Sequence, residues 1–159
     1  MTTCVVLLRG VNVGGHQRVP MATFRTLLEG LGGLDVQTYV QSGNAVLTWP
    51  GPTADLAPAV AAAVHAELGL TVPVLVRTAA ELTAVIGGCP WPDLDPQLLY
   101  AVFLTAAADP ARVAAVDHAG LAPERVAVGD RPQLADGHGA GRAVPLTPAL
   151  RTGRSYAVV

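Results

Sequence analysis

The sequence predicts an α+β fold: a ferredoxin-like β-α-β-β-α-β first half over residues 1–77, with an incomplete second β-α-β-β half over residues 78–159 packed on it. Three observations carry that prediction. Cys4 to Arg9 is a β-rich apolar run without alternation, the pattern of a central strand buried on both faces. Two stretches with helical periodicity separate it from three further β-rich segments. The last of these contains Pro73, whose missing N–H only an edge strand accommodates.

A Gly-rich loop follows Arg9, and Pro20 opens a helix at its first turn, with Met21, Phe24, Leu27, Leu28 and Leu31 at helical spacing. Gly32-Gly33 stops it. Val36 to Gln41 and Ala45 to Trp49 read as two strands around Ser42-Gly43-Asn44, whose Gly and Asn tolerate the positive φ of a tight hairpin. Asp55 is the expected N-cap of the second helix, with Pro58 in its first turn, Leu56, Val60, Val64 and Leu68 as its stripe, and Gly69 as its end. Val72 to Arg77 completes the first half. A bare ferredoxin-like sheet leaves one face open, so the two-sided apolar character of residues 4–8 implies a cover, for which the second half is the candidate.

That second half opens with a capping box, Thr78-Ala79-Ala80-Glu81, ahead of a short helix carrying Leu82, Val85 and Ile86 and closed by Gly87-Gly88. A linker runs through Cys89-Pro90-Trp91-Pro92-Asp93. Leu98 to Leu104 reads as a strand, Asp109-Pro110 as an N-cap and first helical residue, and Val113 and Val116 as that helix's buried side, with Gly120 as its stop. Arg125 to Val128 is another strand. From Gly129 onward, repeated Gly and Pro predict short strands and loops with a weakly ordered end.

Composition excludes several classes of protein. With 51% hydrophobic and 14% charged residues in a chain of 159, disorder is ruled out over most of it. All ten cationic residues are Arg and Ala occurs 27 times, the substitution bias of a GC-rich genome. A net charge of -2 disfavours a general nucleic-acid or anionic-membrane binder, which needs surplus positive charge. Cys4 and Cys89 fit no zinc or C-x-x-C spacing and read as buried thiols of a reducing cytosol. Arg9 follows the N-terminal apolar run instead of preceding it, and no stretch has the roughly 18 apolar residues of a membrane span. The expectation is a soluble, cytoplasmic protein.

The most unusual segment is Arg9-Gly10-Val11-Asn12-Val13-Gly14-Gly15-His16-Gln17-Arg18-Val19-Pro20, between a strand and a helix N-terminus. Such a loop turns successive backbone N–H groups toward one point, and the helix dipole adds positive potential there. Arg9, Arg18 and His16 stand ready to reinforce it. The spacing from Gly10 to Gly15 imitates a P-loop, but His16 and Gln17 stand where that motif needs Lys and Ser or Thr. Nor is it a G-x-G-x-x-G dinucleotide fingerprint. Two readings stay open: a site for an anion or polar ligand on Arg9, Asn12, Gly14, Gly15 and Arg18, or a demanding structural turn with Asn12 bonding its own backbone.

The second polar cluster is Gln41-Ser42-Gly43-Asn44. Gln41, Ser42 and Asn44 are candidate ligand contacts, against the plainer reading of a hairpin turn with structural hydrogen bonds. In a ferredoxin-like topology this hairpin and the first loop are expected at opposite strand ends unless the strands are offset. Ser42 lacks the G-x-S-x-G elbow and has no His and carboxylate partners assignable from spacing. His16, His65, His118 and His138 never fall at i, i+4, so no metal site is expected. His65 and His118 read as helix-surface residues, Asp93 and Asp95 as a solvated loop, and Trp49 and Trp91 as packing residues. No cofactor motif is present.

Arg9-Gly10-Val11-Asn12-Val13-Gly14-Gly15, then Val19-Pro20-Met21, then Tyr39-Val40-Gln41-Ser42-Gly43-Asn44 closely resemble the bacterial family called domain of unknown function 1697. The similarity extends through Phe103-Leu104 to the Gly-rich stretch near Gly137. The resemblance implies an α+β, ferredoxin-like architecture of duplicated flavour in a cytoplasmic bacterial protein, and supplies no established activity. Family members continue through a Ser-Lys-Leu-Thr segment, a helix and an Arg-Asn-Trp-Asn-Thr-Val motif. Here Leu146-Thr147 is the candidate match for the first of these, Arg154 to Val158 at best faintly echoes the last, and the intervening helix is expected to be short or missing.

Three functional readings follow, in this order. The first is a protein, enzymatic or not, that holds a small phosphorylated or carboxylated ligand on the loop from Arg9 to Arg18. The second is an interaction protein whose apolar content serves an oligomer, most simply a closed homodimer, with a purely architectural loop. The third is a single-stranded nucleic-acid module, opposed by the acidic balance and by the lack of an aromatic on the first strand.

Overall fold

The computed structural model describes residues 1–14, 17–91, 95, 99–104, 109–116, 126–128 and 155–158. The protein is α+β and divides into two units, Met1–Thr83 and Ala84–Val159. The first unit contains β1 (Thr2–Leu8), α1 (Met21–Gly30), β2 (Leu34–Tyr39), β3 (Asn44–Trp49), α2 (Thr53–Leu68) and β4 (Val74–Thr78), and the helix α3 (Ala79–Gly87) spans the boundary. Its four strands form one sheet in the order β2-β3-β1-β4, antiparallel at every pairing.

Register decides which side chains meet. Cys4, Val6 and Leu8 lie opposite Leu47, Ala45 and, across the other neighbour, Val74, so these residues share one face of the sheet. Helices α1 and α2 cover that face with Phe24, Leu28, Leu56, Val60 and Val64, all buried. The helical spacing read from the sequence is what brings these five to one side. On the other face Val5 and Leu7 are only half-buried, and Leu34, Val46 and Tyr39 are exposed. The expectation that β1 is buried on both faces is therefore corrected: the strand is central, but its burial alternates, as in antiparallel sheets.

Helix ends follow local chemistry. α1 begins directly after Pro20 and stops at Gly32 and Gly33, which donate to the carbonyls of Glu29 (2.9 Å) and Leu28 (3.0 Å). This is a Schellman ending, with Gly32 at φ +96°. α2 starts at Thr53, two residues before the expected N-cap; Asp55 lies inside its first turn, where a carboxylate also favours the helix dipole, and Pro58 falls in the second turn. Gly69, at φ +66°, ends the helix as the sequence requires. The Thr78–Glu81 capping box is formed, with Glu81 Oε2 accepting from Thr78 N at 2.6 Å and Thr78 Oγ1 from Glu81 N at 3.2 Å.

The hairpin differs from its expected bounds. β2 begins two residues early, with a register irregularity between Leu34 and Gln37 where Asp35 takes φ +53°, and Val40 and Gln41 leave the strand for the turn. Asn44, expected in the turn, is the first residue of β3. On the opposite edge Pro73 immediately precedes β4, which is an edge strand as its proline demands.

The second unit contains β5 (Leu99–Val102), α4 (Pro110–Ala114), β6 (Val126–Val128) and β7 (Ser155–Val158), a β-α-β-β order. Asp109 caps α4 by accepting from Ala111 N at 2.9 Å. The three strands pair in parallel in the order β5-β7-β6, so Ser155–Val158 is the middle strand of its sheet. The expectations for Gly120, His118, the Gly-rich stretch near Gly137 and Leu146-Thr147 lie outside the described residues. Among the described residues, no helix is long and apolar enough to cross a membrane.

Candidate functional site

The loop after β1 and the β2–β3 hairpin occupy one end of the sheet. β1 and β3 are antiparallel with Leu7 opposite Asn44, so the last residue of one strand adjoins the first of the other. Leu8 N donates to Gly43 O at 3.0 Å. The expectation that the two segments lie at opposite strand ends is corrected, because antiparallel pairing itself brings them together. Their approach is close: Gly43 is buried at φ +74°, and a Cβ there would collide with Val11 Cγ2 and lie 3.0 Å from Leu8 Cβ.

Asn12 ties the two segments. Its backbone is left-handed at φ +56°, a region Asn enters more readily than most residues. Its side chain accepts from Val19 N at 2.9 Å and donates through Nδ2 to Val19 O at 2.9 Å and to Gln41 O at 3.1 Å. Together with the bond from Asn12 N to Gln17 O at 3.1 Å, this closes the loop just ahead of α1. Both amide protons are thus engaged, and Asn12 holds the site together. Val11 and Val19 anchor the same loop in the core at 4% and 0% exposure.

The cations lie differently. Arg9 and Arg18 are exposed, and among the described residues neither guanidinium has a hydrogen-bond or ion-pair partner. Arg9 is fixed through its backbone, which donates to Pro73 O at 3.0 Å. α1, which begins three residues after Arg18, has no side-chain N-cap and no acidic residue in its first turn. Its first helical bond runs from Phe24 N to Pro20 O (2.9 Å), which leaves the amides of Met21, Ala22 and Thr23 outside the helical ladder. Gly14 takes φ +60° with open space around its Cα, while Gly15 and His16 lie outside the described residues. No Asp or Glu occurs between Arg9 and Arg25, nor between Val36 and Pro50. The two segments at that end of the sheet thus contribute cations and oriented amides and no carboxylate of their own.

The hairpin contributes mainly backbone. Gln41 is exposed and supplies its carbonyl to Asn12; Asn44 is half-buried at the start of β3. Ser42 Oγ donates to Tyr39 O at 2.7 Å, and among the described residues no His or carboxylate hydrogen-bonds to it. Its hydroxyl closes the turn.

Other sequence-marked residues fall elsewhere. Cys4 is buried and free, its thiol pushed up from the ordinary value mainly by burial and secondarily by the charge of Glu81. Cys89 is also free but only half-buried, which corrects its reading as a buried thiol. Trp49 is buried, with Nε1 donating to Pro52 O at 3.0 Å, and His65 is exposed on α2. Among the described residues, no three His, Cys, Asp or Glu side chains converge as metal ligands.

One unusual residue was not marked by the sequence reading. Arg77 is 5% exposed on the sheet face opposite the helices, across from Val5, with Nη1 donating to Val76 O at 2.7 Å. Burial lowers its pKa and the charge of Glu81 counteracts that. The alternation of Val74, Val76 and Thr78 against the core was the available signal for it.

A model of a family described as protein of unknown function (DUF1697) matches residues 1–132. Among solved structures, the chain is similar to the conserved bacterial protein SP0830 from Streptococcus pneumoniae, at 28% identity and a TM-score of 0.54, over 59% of this chain and 53% of that one. The chain therefore spans about half the length of that protein. No curated protein matches it.

Proposed function

The chain belongs to the DUF1697 family of proteins of unknown function, and we propose that it binds a small phosphorylated or carboxylated molecule at the loop between β1 and α1. The observation that carries the reading is that Arg9 and Arg18, at the two ends of this loop, are exposed with guanidinium groups unengaged among the described residues, and that the helix the loop leads into has no cap side chain and no acid in its first turn. In this reading the two arginines and the amides around Gly14 and Gly15 contact the anion. Asn12 holds the loop, and Gln41, Ser42 and Asn44 form the rim. The strand order β2-β3-β1-β4 supports a ferredoxin-like description of the first unit, and the likeness to a conserved bacterial protein supports a bacterial origin.

Thermal unfolding of wild type and Arg9→Ala against nucleotides, sugar phosphates, carboxylates and short oligonucleotides tests the proposal. A ligand at a hundred times its Kd adds about 2.7 kcal/mol to wild-type stability. Arg9→Ala, being exposed, changes the unliganded protein by no more than about 0.5 kcal/mol. It weakens the ligand by about 1.5–3 kcal/mol, the worth of a charge-assisted contact. A ligand shift equal in both proteins sinks the assignment of Arg9.

The exposed Leu34, Tyr39 and Val46 on the sheet face opposite the helices favour a second reading, a homodimeric interaction protein with an architectural loop. A monomeric mass at high protein concentration removes it.

A further inference from the structure

We propose that the hairpin tip, Val40–Ser42, is a strained latch held over the first loop by Asn12, and that it opens by rotation at Val40. Val40 has φ +44°, and a β-branched residue in the left-handed region is a steric outlier that surrounding contacts must maintain. Its side chain is 66% exposed, so packing does little to hold it there. Two solvent-exposed hydrogen bonds do the holding: Asn12 Nδ2 to Gln41 O at 3.1 Å and Ser42 Oγ to Tyr39 O at 2.7 Å.

The base of the hairpin is fixed by contrast. Tyr39 pairs with Asn44, Leu8 N donates to Gly43 O, and Gly43 is wedged against Val11 and Leu8. A fixed base under a strained tip has one simple alternative: Val40 returns to negative φ, the chain after it turns, and the Gln41 carbonyl leaves Asn12. Asn12 keeps its paired bonds to Val19, so the first loop retains its shape while one Asn12 amide proton becomes available to solvent or to a bound acceptor. Opening thus changes the donor set of the loop without unfolding it. The latch exists without any ligand, and its test is independent of the anion reading.

NMR relaxation dispersion on the unliganded wild type, Val40→Asn and Asn12→Ala decides the matter. In the wild type, residues 40–42 exchange between the latched and open conformations on the μs–ms timescale, while β1 and β3 do not. Val40→Asn, which tolerates the left-handed region, lowers the open population about fivefold. Asn12→Ala raises it about fivefold through the lost bond to Gln41. Two results overturn the latch: no dispersion at residues 40–42 of the wild type, or an open population in Val40→Asn equal to wild type. Should Asn12→Ala not fold, those two measurements decide alone.

Discussion

The helix-covered face of the first unit's sheet and the loop end of the same sheet are held by different means. On the face, Phe24, Leu28, Leu56, Val60 and Val64 lie on Cys4, Val6, Ala45 and Leu47, and the contact is apolar throughout. At the end, one asparagine side chain and one buried glycine join a loop to a hairpin, while Arg9 and Arg18 stay in solvent. The contrast teaches that polar residues at the end fall into two sets. Asn12 and Ser42 have hydrogen-bonding groups engaged by the fold, whereas among the described residues the two guanidinium groups do not.

The largest effect expected from breaking this comparison lies on the face. Phe24 is fully buried, and Phe24→Ala removes its apolar surface and leaves a cavity between α1 and the sheet. The expected loss is about 3–5 kcal/mol, read from urea unfolding. A loss below about 1 kcal/mol would mean that this face is not the main source of stability.

At the loop end the matching change is Gly43→Ala. The added methyl meets Val11 and Leu8, and Gly43 also has a positive φ. Overpacking costs about 1–3 kcal/mol, with backbone strain added. The diagnostic outcome is local: in hydrogen exchange, residues 8–12 and 40–44 lose protection more than α2 does. Uniform loss would deny that loop and hairpin form a joint.

Legibility in the sequence follows the same division. The stripes of α1 and α2 were readable because burial of one helix face repeats over several turns, and Gly32 and Gly69 were readable because left-handed helix ends favour glycine. The start of α2 was misplaced because Asp favours both the cap and the first turn, so Asp55 could not distinguish them. The hairpin bounds were missed because Val40 is a strand former by propensity and Asn44 a turn former, and each adopts the opposite state. The loop residues of the candidate site stood out by type. Their arrangement did not, since Asn12 reaches a carbonyl 29 positions away, a fact of strand pairing rather than local pattern. For Arg77 the alternation along β4 gave the face, and the register set it across from Val5.

The smallest effect sharpens the account of the face. Cys4 is its one titratable thiol among the described core residues, and burial raises its pKa from the ordinary 9.0. The unfolded thiol therefore ionises first as pH rises. Between the unfolded and folded values the unfolded chain binds fewer protons, so stability falls with increasing pH, with a slope below about 1.4 kcal/mol per pH unit. Below pH 9 this contribution is fully present, and it is lost as pH climbs through the folded value. Cys4→Ala has no thiol to ionise, and its urea midpoint declines less steeply than wild type from pH 8 to 10. Other groups titrating in that range act equally on both proteins, so the difference in slope isolates position 4. Parallel slopes would mean that the thiol is solvated in the native state, and hence that the apolar face admits water beside β1.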